Sequence, residues 1–444
     1  MPRPWIEALA DRGSVHSLGV AFDAPRPSPH LARWAIRAAA DDGVQAAHIT
    51  IGGAQVLVAE QDPRFLGGSI GAHHARVLAE LLVRARETRP DAVLLLLASG
   101  GVRLHEANPA EIALARALRA LIDVRAAGVP VIALCVGDVF GGASVLACAA
   151  ERTGMLPGTR LGLSGPKVIA TAKGRQEIDP EDAAGLDAVF GAAAREARHQ
   201  AHLVPEDVAV LRAWVTAGID GHTPFERALR ETQTRLDVSL DGSPRTRAWR
   251  VPAAWQDLLT RVNDSALWRT HDRRLVVVGA PGDQSLSAAA LHAIDEALLA
   301  MLAAEVPHTL VLVEDSAGHE ISRAAEEMCL SRYLAQHAAV IGACRACGIE
   351  VIGLLAGRGH SAAFFVNALQ ADRLVAVDTA RVMAMDPRAV ARVTGLDHAA
   401  LTASLETNPV LGHAASLLAH WTAVEMIADA DAAALQRWQS FSKS

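Results

Sequence analysis

The sequence predicts an α/β fold in two duplicated halves, and three observations support this prediction. The chain has 444 residues, which is too long for one ordinary domain of about 150 residues but fits two units of about 220. Apolar residues make up 51% and charged residues 20%, so buried cores are expected and a disordered or fibrous chain is excluded. The same order of strands, turns and helices occurs twice along the chain.

The first copy alternates strands and helices. A strand is predicted at Ala92 to Ala98, followed by the small-residue turn Ser99 to Gly101 and a helix at about 109 to 127. A second strand, Pro130 to Val136, leads through the glycine-rich turn Gly137 to Ser144 into another helix. Apolar runs of this length, joined by helices, are typical of buried parallel strands.

The second copy repeats this order. A strand at Thr309 to Val313, the turn Asp315 to Gly318 and a helix at about 324 to 347 are followed by a strand at Glu350 to Leu355 and the turn Gly357 to Ala362. Corresponding positions are about 217 to 221 residues apart, and a nearly constant offset favours a true duplication.

The boundary between the halves is predicted in a segment without hydrophobic periodicity. Residues 235–265 contain polar, Gly and Pro residues, which are typical of a linker. The predicted domains are therefore 1–240 and 241–444.

Composition excludes several classes of partner and location. The apolar runs are far shorter than the roughly 20 residues that span a bilayer, and the N-terminus lacks the pattern of an export signal, so a cytoplasmic protein is expected. The net charge is -7 without a Lys/Arg cluster, which argues against nucleic acid as a partner. The five cysteines lie in apolar stretches, and the single pair Cys344-x-x-Cys347 is interpreted as buried side chains rather than a metal site.

The glycine turns are the candidate chemical site. Two turns that follow neighbouring parallel strands open at the same edge of the sheet, where backbone N–H groups can bind an oxyanion. In the first copy these are the turns at Gly100-Gly101 and Gly141-Gly142. The alternative is that these glycines only permit tight turns.

Competing motifs are absent or weak. The sequence contains no GxSxG, HExxH or Walker A motif. The pattern Gly357-x-Gly359-x-x-Ala362, with Asp378 further along, resembles a dinucleotide-binding fingerprint and leaves NAD binding open as a minor alternative. His105, Glu106 and His360 lie next to the glycine turns and are expected to be solvated loop residues.

Motifs in both halves resemble one enzyme family. In the first half they are Asp62 to Gly71, Ser99 to Asn108, Phe140 to Gly142 and Gly162 to Pro166, which resemble the beta subunit of biotin-independent malonate decarboxylase. In the second half they are Asp315 to Gly318, Glu326-Glu327, Ser361 to Phe364, Gln370 to Leu374 and Ala391 to Thr394, which resemble its gamma subunit. The resemblance implies a beta-gamma fusion with two duplicated crotonase-like (ββα-spiral, carboxyltransferase-type) domains.

The resemblance also implies a reaction. A malonyl thioester on an acyl carrier protein would lose CO2 to give the acetyl thioester, through an enolate held by backbone amides. On this basis the amides of Gly101 and Gly142 form the enolate hole, and Gly100 and Gly141 shape it. The residues expected to bind substrate are Gly68, Ser69, Ser164, Gly318, Ser361 and Ala362.

The implied partners are an acyl carrier protein and acyl-carrier transferase subunits of a malonate decarboxylase complex, and a homo-oligomer is compatible with them. The carrier would bring a phosphopantetheine-type (dephospho-CoA-derived) prosthetic group. No cofactor bound directly to the chain and no metal is expected.

Departures from the family pattern keep two alternatives open. Lys167 and Ala170 replace acidic positions, Ala317 stands where Pro is usual, and Ala362 stands where Gly is usual, so that a positive φ would be costly. The alternatives are a biotin-dependent acyl-CoA carboxyltransferase and a catalytically diverged scaffold subunit. The sequence does not identify the proton donor to the enolate or the oligomeric state.

Overall fold

The computed structural model describes residues 4–18, 28–238, 240 and 249–439. Residues 239 and 241–248 of the predicted linker lie outside the described residues, so the boundary between residues 240 and 241 stays a prediction.

The first half of the chain contains eight strands and nine α-helices among its described residues. The strands are β1 (His16–Ser17), β2 (Val44–Ile51), β3 (Ala54–Gln61), β4 (Ala92–Ser99), β5 (Val131–Phe140), β6 (Arg152–Met155), β7 (Leu161–Gly162) and β8 (His202–Leu203). The helices are α1 (Trp5–Leu9), α2 (Ala72–Thr88), α3 (Ala107–Ala126), α4 (Gly142–Ala149), α5 (Pro166–Lys173), α6 (Ala183–Phe190), α7 (Ala192–Ala197), α8 (Val208–Asp220) and α9 (Phe225–Val238).

The second half, over its described residues, contains nine strands and seven α-helices. The strands are β9 (Leu259–Arg261), β10 (Leu267–Thr270), β11 (Leu275–Val278), β12 (Thr309–Glu314), β13 (Glu350–Leu355), β14 (Arg358–His360), β15 (Arg373–Val377), β16 (Arg381–Met383) and β17 (Glu425–Ile427). The helices are α10 (Ala288–Ala304), α11 (Arg323–Glu327), α12 (Leu330–Ala346), α13 (Ser361–Val366), α14 (Pro387–Thr394), α15 (His398–Ser404) and α16 (Ala432–Gln439).

The two main sheets have the same topology. The first has the order β1-β2-β3-β4-β5-β6-β8, with β7 pairing beside β5, and the second has the order β9-β10-β11-β12-β13-β15-β17. In each sheet the first three strands are antiparallel and every later pair is parallel. The predicted duplicated α/β fold is therefore confirmed.

The chain folds into two compact units, and each includes a segment from the other half of the sequence. The first unit comprises Met1–Glu106, Arg116–Ala228 and Ile321–Ala335, and the second comprises Ala107–Ala115, Leu229–Glu320 and Gln336–Ser444. Contacts of residues 321–335 with the first sheet are therefore contacts within the first unit.

Each unit has its own apolar core along the parallel strands. Every residue of β4 is buried, and Leu94 packs with Val58 and Leu134 of the neighbouring strands. The equivalent core of the second unit includes Val311 and Ile352. Strands that are covered on both faces require such continuous apolar runs, which is why the sequence pattern located them.

Two predicted elements differ from the observed ones. Strand β5 continues to Phe140 instead of ending at Val136, because Val139 and Phe140 pair with β7. The helix predicted at about 324 to 347 is divided into α11 and α12, because Cys329 adopts a left-handed conformation with φ of 58°. This break separates a short helix that contains Glu326 from the longer α12.

Candidate active site: glycine turns in both halves

The two glycine turns of the first half are in direct contact. Gly101 has φ of 97°, and a Cβ atom there would lie 3.1 Å from the carbonyl oxygen of Phe140 and 3.2 Å from Cα of Gly141. Gly141 has φ of 60° and ψ of -143°, and a Cβ atom there would lie 3.0 Å from Cα of Gly101. Only glycine satisfies both the conformation and the spacing at these two positions.

The two amides expected to bind the enolate have different surroundings. Gly142 begins α4, where no preceding turn of helix supplies an acceptor for its N–H, and no side chain caps this helix. The N–H of Gly101 instead donates to Oγ of Ser99 at 3.1 Å. The sequence reasoning did not include this hydroxyl, although a Ser two residues before a turn amide is a known turn-forming contact.

The structure places Gly68 and Ser69 behind the Gly101 turn. Gly68 has φ of 67°, and a Cβ atom there would lie 1.9 Å from the carbonyl oxygen of Ala98. The N–H of Gly100 donates to the carbonyl of Gly67 at 3.0 Å. The loop that contains Gly68 is thus pressed against the end of β4 and supports the turn, while a contact of Gly68 or Ser69 with substrate stays a prediction.

A buried ionic cluster lies beneath this loop. Nη1 of Arg103 donates to the carboxylates of Asp42 at 2.6 Å and Glu106 at 2.9 Å, and Nη2 donates to the carbonyl of Ser69 at 2.8 Å. Burial raises the pKa of Asp42 to about 6, against the effect of the Arg103 guanidinium. The expectation that Glu106 is a solvated loop residue was wrong: it is fully buried and its carboxylate accepts the N–H of Ala72 at the start of α2.

A buried histidine completes the cluster. Nε2 of His74 accepts from the amide of Gln61 at 3.1 Å, so the ring proton lies on Nδ1, which donates to the carbonyl of Asp42 at 3.2 Å. Burial, followed by the charge of Arg103, lowers the pKa of His74 to about 3. The ring is therefore a neutral structural element, and Gln61 uses its oxygen to accept the N–H of Ala98 on β4.

The second half repeats the first turn closely. Gly318 has φ of 93°, and its N–H donates to Oγ of Ser316 at 3.3 Å. Its carbonyl accepts the N–H of Leu286 at 2.7 Å, as the carbonyl of Gly101 accepts the N–H of Ile70 at 2.8 Å.

The second turn of this half departs from the first at a different residue than expected. Ser361 has φ of 51° at the position that corresponds to Gly141, whereas neither Ala317 nor Ala362 has a positive φ. The expected backbone cost at Ala362 was therefore wrong, because Ala362 follows the left-handed residue and lies in helix α13. The strain falls on Ser361.

A hydrogen-bonded network of buried polar side chains supports the Gly318 turn. Oγ of Ser316 donates to Glu314 at 2.8 Å, and the amide of Asn367 donates to the other Glu314 oxygen at 2.8 Å. Asn367 also contacts Nε2 of His337 at 3.3 Å, and Nδ1 of His337 lies 2.7 Å from Asp295.

Burial and neighbouring groups shift the pKa values of the titratable side chains in and beside this hydrogen-bonded network. Burial raises the pKa of Glu314 to about 7, against the hydrogen bonds from Asn367 and Ser316. Burial acts to lower the pKa of His337, but Asp295, Asn367 and Glu314 outweigh it and raise that pKa. Burial and the neighbouring Glu314 raise the pKa of Glu111 to about 8. The sequence provided no signal for this hydrogen-bonded network, because its members are far apart in the amino-acid sequence.

Ser164, the dinucleotide-like pattern and His360 are all at least partly buried or packed in the structure. Ser164 lies buried in the loop after β7, where its N–H donates to Glu326. The dinucleotide-like pattern falls on β14, which pairs with β16, and a Cβ atom at Gly359 would contact Leu355 and Phe364, so this glycine serves packing. His360 is half-buried, and burial lowers its pKa.

The described part of the chain contains no group of three or more His, Cys, Asp or Glu residues that could hold a metal ion. None of its helices is long and apolar enough to cross a bilayer.

Comparisons with known proteins match both halves. Residues 4–195 match the carboxyl transferase domain family, and residues 278–440 match the malonate decarboxylase gamma subunit family. A chain of a Pseudomonas malonate decarboxylase hetero-tetramer, solved in complex with malonate, is 32% identical with a TM-score of 0.50, and the match covers 55% of this chain and 91% of that chain. The chain belongs to the malonate decarboxylase family. The resemblance predicted from the motifs of both halves, and with it the crotonase-like fold, is confirmed.

Two curated relatives share part of their length with this chain. The malonyl-S-ACP:biotin-protein carboxyltransferase of Malonomonas rubra is 36% identical over 173 residues, which cover 35% of this chain and 54% of the relative. The acetyl-coenzyme A carboxylase carboxyl transferase subunits beta/alpha of Saccharopolyspora erythraea are 32% identical over 200 residues, which cover 41% of this chain and 33% of the relative. The chain thus spans about half the length of the first relative and about a third of the second.

Proposed function

We propose that this chain decarboxylates a malonyl thioester carried on an acyl carrier protein and so acts as a carboxy-lyase. The observation that carries the proposal is the contact between the turns at Gly101 and Gly141, which brings the uncapped start of α4 next to the end of β4. Membership of the malonate decarboxylase family supports the choice of substrate.

The reaction needs a site for developing negative charge. The bond between the carboxylate carbon and C2 of the malonyl group breaks, CO2 leaves, and the electron pair forms an enolate whose charge lies on the thioester oxygen. An N–H aimed at that oxygen stabilises the charge where it develops, and one such donor contributes roughly 100- to 1000-fold in rate. C2 then takes a proton to give the acetyl thioester.

In this proposal the Gly142 amide is the first donor, because α4 begins there without a cap. The Gly101 amide becomes the second donor when the Ser99 hydroxyl releases it. Gly100 and Gly141 shape the turns, and Gly68, Ser69, Ser164, Gly318, Ser361 and Ala362 contribute to substrate binding.

The proposed partners are an acyl carrier protein with its phosphopantetheine-type group, and acyl-carrier transferase subunits. The Pseudomonas relative is a hetero-tetramer, which supports assembly with other subunits. A cytoplasmic location is part of the same proposal.

The test is CO2 release from a malonyl carrier protein by the purified chain. Gly142→Pro removes the N–H at the first helical position, where Pro is well tolerated, and should reduce turnover about 100- to 1000-fold. Gly142→Ala keeps the N–H and is the matched control, since Ala362 occupies the corresponding place in the second half. Full activity of Gly142→Pro would exclude the start of α4 as the enolate site.

The second candidate is carboxyl transfer to biotin. The relative from Malonomonas rubra is a malonyl-S-ACP:biotin-protein carboxyltransferase, and the same enolate hole would serve either reaction. If the acetyl thioester forms only when a biotin-loaded carrier is present, with the carboxyl group transferred to biotin instead of released as CO2, the second candidate replaces the first. Carrier binding without formation of the acetyl thioester would support a scaffold role.

A further inference from the structure

Glu326 of α11 is a buried carboxylate that binds two backbone amides of the first unit. Its oxygens accept the N–H of Leu163 at 2.9 Å and the N–H of Ser164 at 2.6 Å. The side chain is fully buried, and a Cβ atom at Gly162 would lie 2.8 Å from its Oε2. The loop after β7 is therefore shaped around this carboxylate.

This loop is bonded directly to the second glycine turn. The carbonyl of Leu163 accepts the N–H of Gly141 at 2.9 Å, so one peptide group separates the carboxylate of Glu326 from Gly141. The preceding residues, Leu161 and Gly162, pair with Val139 and Phe140 at the end of β5. A shift of the loop would move Gly141 and the adjoining Gly142.

Two further hydrogen bonds connect residues 326–331 to other parts of the first unit. Nη1 of Arg195 donates to the backbone carbonyl of Glu326 at 2.7 Å. Oγ of Ser144 on α4 donates to the carbonyl of Gly141 at 2.7 Å, so its contact with Oγ of Ser331 at 2.6 Å has Ser331 as the donor. Both hydroxyls therefore hold the start of α4 in place.

We propose that Glu326 is a positioning residue that holds the Gly141–Gly142 turn in the geometry required for the enolate hole. The inference rests on the proposed function for its catalytic consequence. Glu326 acts through Leu163 and contacts no reacting atom.

The arrangement requires the ionised carboxylate, because a protonated one has a poor acceptor at its hydroxyl oxygen. Burial raises the pKa of Glu326 to about 7, against the amides of Ser164 and Leu163 and the charge of Arg195. The other ionisable groups that face this region are Cys329, its thiol partner Cys148 on α4, and Arg332 on α12.

The experiment compares Glu326→Gln with Glu327→Gln in the full chain. Glu327 lies in the same helix, but its carboxylate pairs with Arg323 at the surface, which makes it a matched control. In Glu326→Gln one N–H faces an amide donor instead of an oxygen. We expect faster hydrogen–deuterium exchange in peptides that cover 137–150 and 156–166, and kcat lower by about 10- to 100-fold with KM changed less than about twofold. Glu327→Gln should match the wild type in all three.

The pH dependence provides a separate measurement if Glu326→Gln fails to fold. In the wild type, kcat should decline as the pH falls through about 7, because the carboxylate becomes protonated and one of the two amides loses its acceptor. Cys148→Ala removes the thiol contact and should keep this decline. A decline that disappears in Cys148→Ala would overturn the inference, as would unchanged exchange and kcat in Glu326→Gln.

The exchange measurement needs no substrate, so the two proposals fail separately. If the wild type releases no CO2 but Glu326→Gln loosens the loop, the proposed function fails and the positioning role stands. If the wild type is active and Glu326→Gln changes neither exchange nor kcat, the positioning role fails alone.

Discussion

Two residues before the turn serine, the first half has Leu97 and the second half has Glu314. Ser99 and Ser316 each accept the N–H of the following turn glycine, at 3.1 and 3.3 Å. The Ser316 hydroxyl donates to the Glu314 carboxylate, whereas Leu97 offers Ser99 no acceptor. The turn serine thus donates to a buried carboxyl in the second half, whereas the residue at the corresponding position in the first half is apolar.

This difference extends behind the turns. The duplication aligns His337 with Ala117 and Asn367 with Ala147, and both alanines are fully buried. The second half therefore replaces an apolar layer with a hydrogen-bonded chain of buried groups. The backbone N–H donors depend only on the conformation of the turn, so the turn can be kept while the side chains behind it differ. Substitutions in each half can therefore test which half tolerates change.

The largest effect is expected when Gly141 of the first half is replaced by serine, the residue that the second half has at the corresponding position, Ser361. Gly141→Ser would force a side chain into a glycine conformation 3.0 Å from Cα of Gly101 and displace the turn. CO2 release should fall about 100-fold or more. Gly128→Ala is the control, since Gly128 also has a positive φ but no atom near its Cβ position. Equal activity of Gly141→Ser and wild type would show that the two turns are interchangeable.

The second prediction concerns Glu314, the buried carboxyl behind the turn serine of the second half, at the position where the first half has Leu97. The pKa of Glu314 is about 7 in the fold against an ordinary 4.5, so the folded state binds this proton more tightly. Its contribution to stability therefore falls as pH rises from about 4.5 to 7, by about 3 kcal/mol, and stays low above pH 7. Glu314→Gln should make the decline of Tm between pH 5 and 8 shallower. The exposed Glu305→Gln should not, and an unchanged slope in Glu314→Gln would contradict the prediction.

The third prediction compares the two serines by thermal unfolding at pH 8. Ser316→Ala leaves the Gly318 amide without its acceptor and Glu314 without one donor, which should lower the free energy of unfolding by about 2 to 3 kcal/mol. Ser99→Ala removes one acceptor and should cost about 1 kcal/mol. Equal losses would mean that the Glu314 anchor contributes nothing.

The smallest effect is expected at Ser361. Ser361→Gly relieves a positive φ that costs about 1 to 2 kcal/mol, partly offset by the entropy that glycine loses on folding. We expect a net gain in stability of about 0.5 to 1 kcal/mol, measured as a higher Tm. A lower Tm would indicate that the Ser361 side chain makes a contact worth more than the strain.

Much of the fold could be predicted because it is encoded locally. The strand Ala92 to Ala98 was predicted within one residue of β4, since an apolar run followed by Gly-Gly is sufficient to define it. The end of β5 was missed because Val139 and Phe140 are strand residues only through their pairing with β7. The division between α11 and α12 was missed because a left-handed Cys329 has no signal in helical periodicity.

The sequence by itself determined the duplication, the order of the strands and the two small-residue turns of each half. Those features depend on residues a few positions apart, whose spacing decides which face is buried and where glycine must stand. Only the tertiary structure decided that Gly101 contacts Gly141, that Glu106 joins Arg103 in the interior, and that Glu326 supports a loop more than 150 residues away. The physical reason is that a buried charge is tolerated only where folding brings distant partners to it. Local residue spacing does not show which distant residues will come into contact.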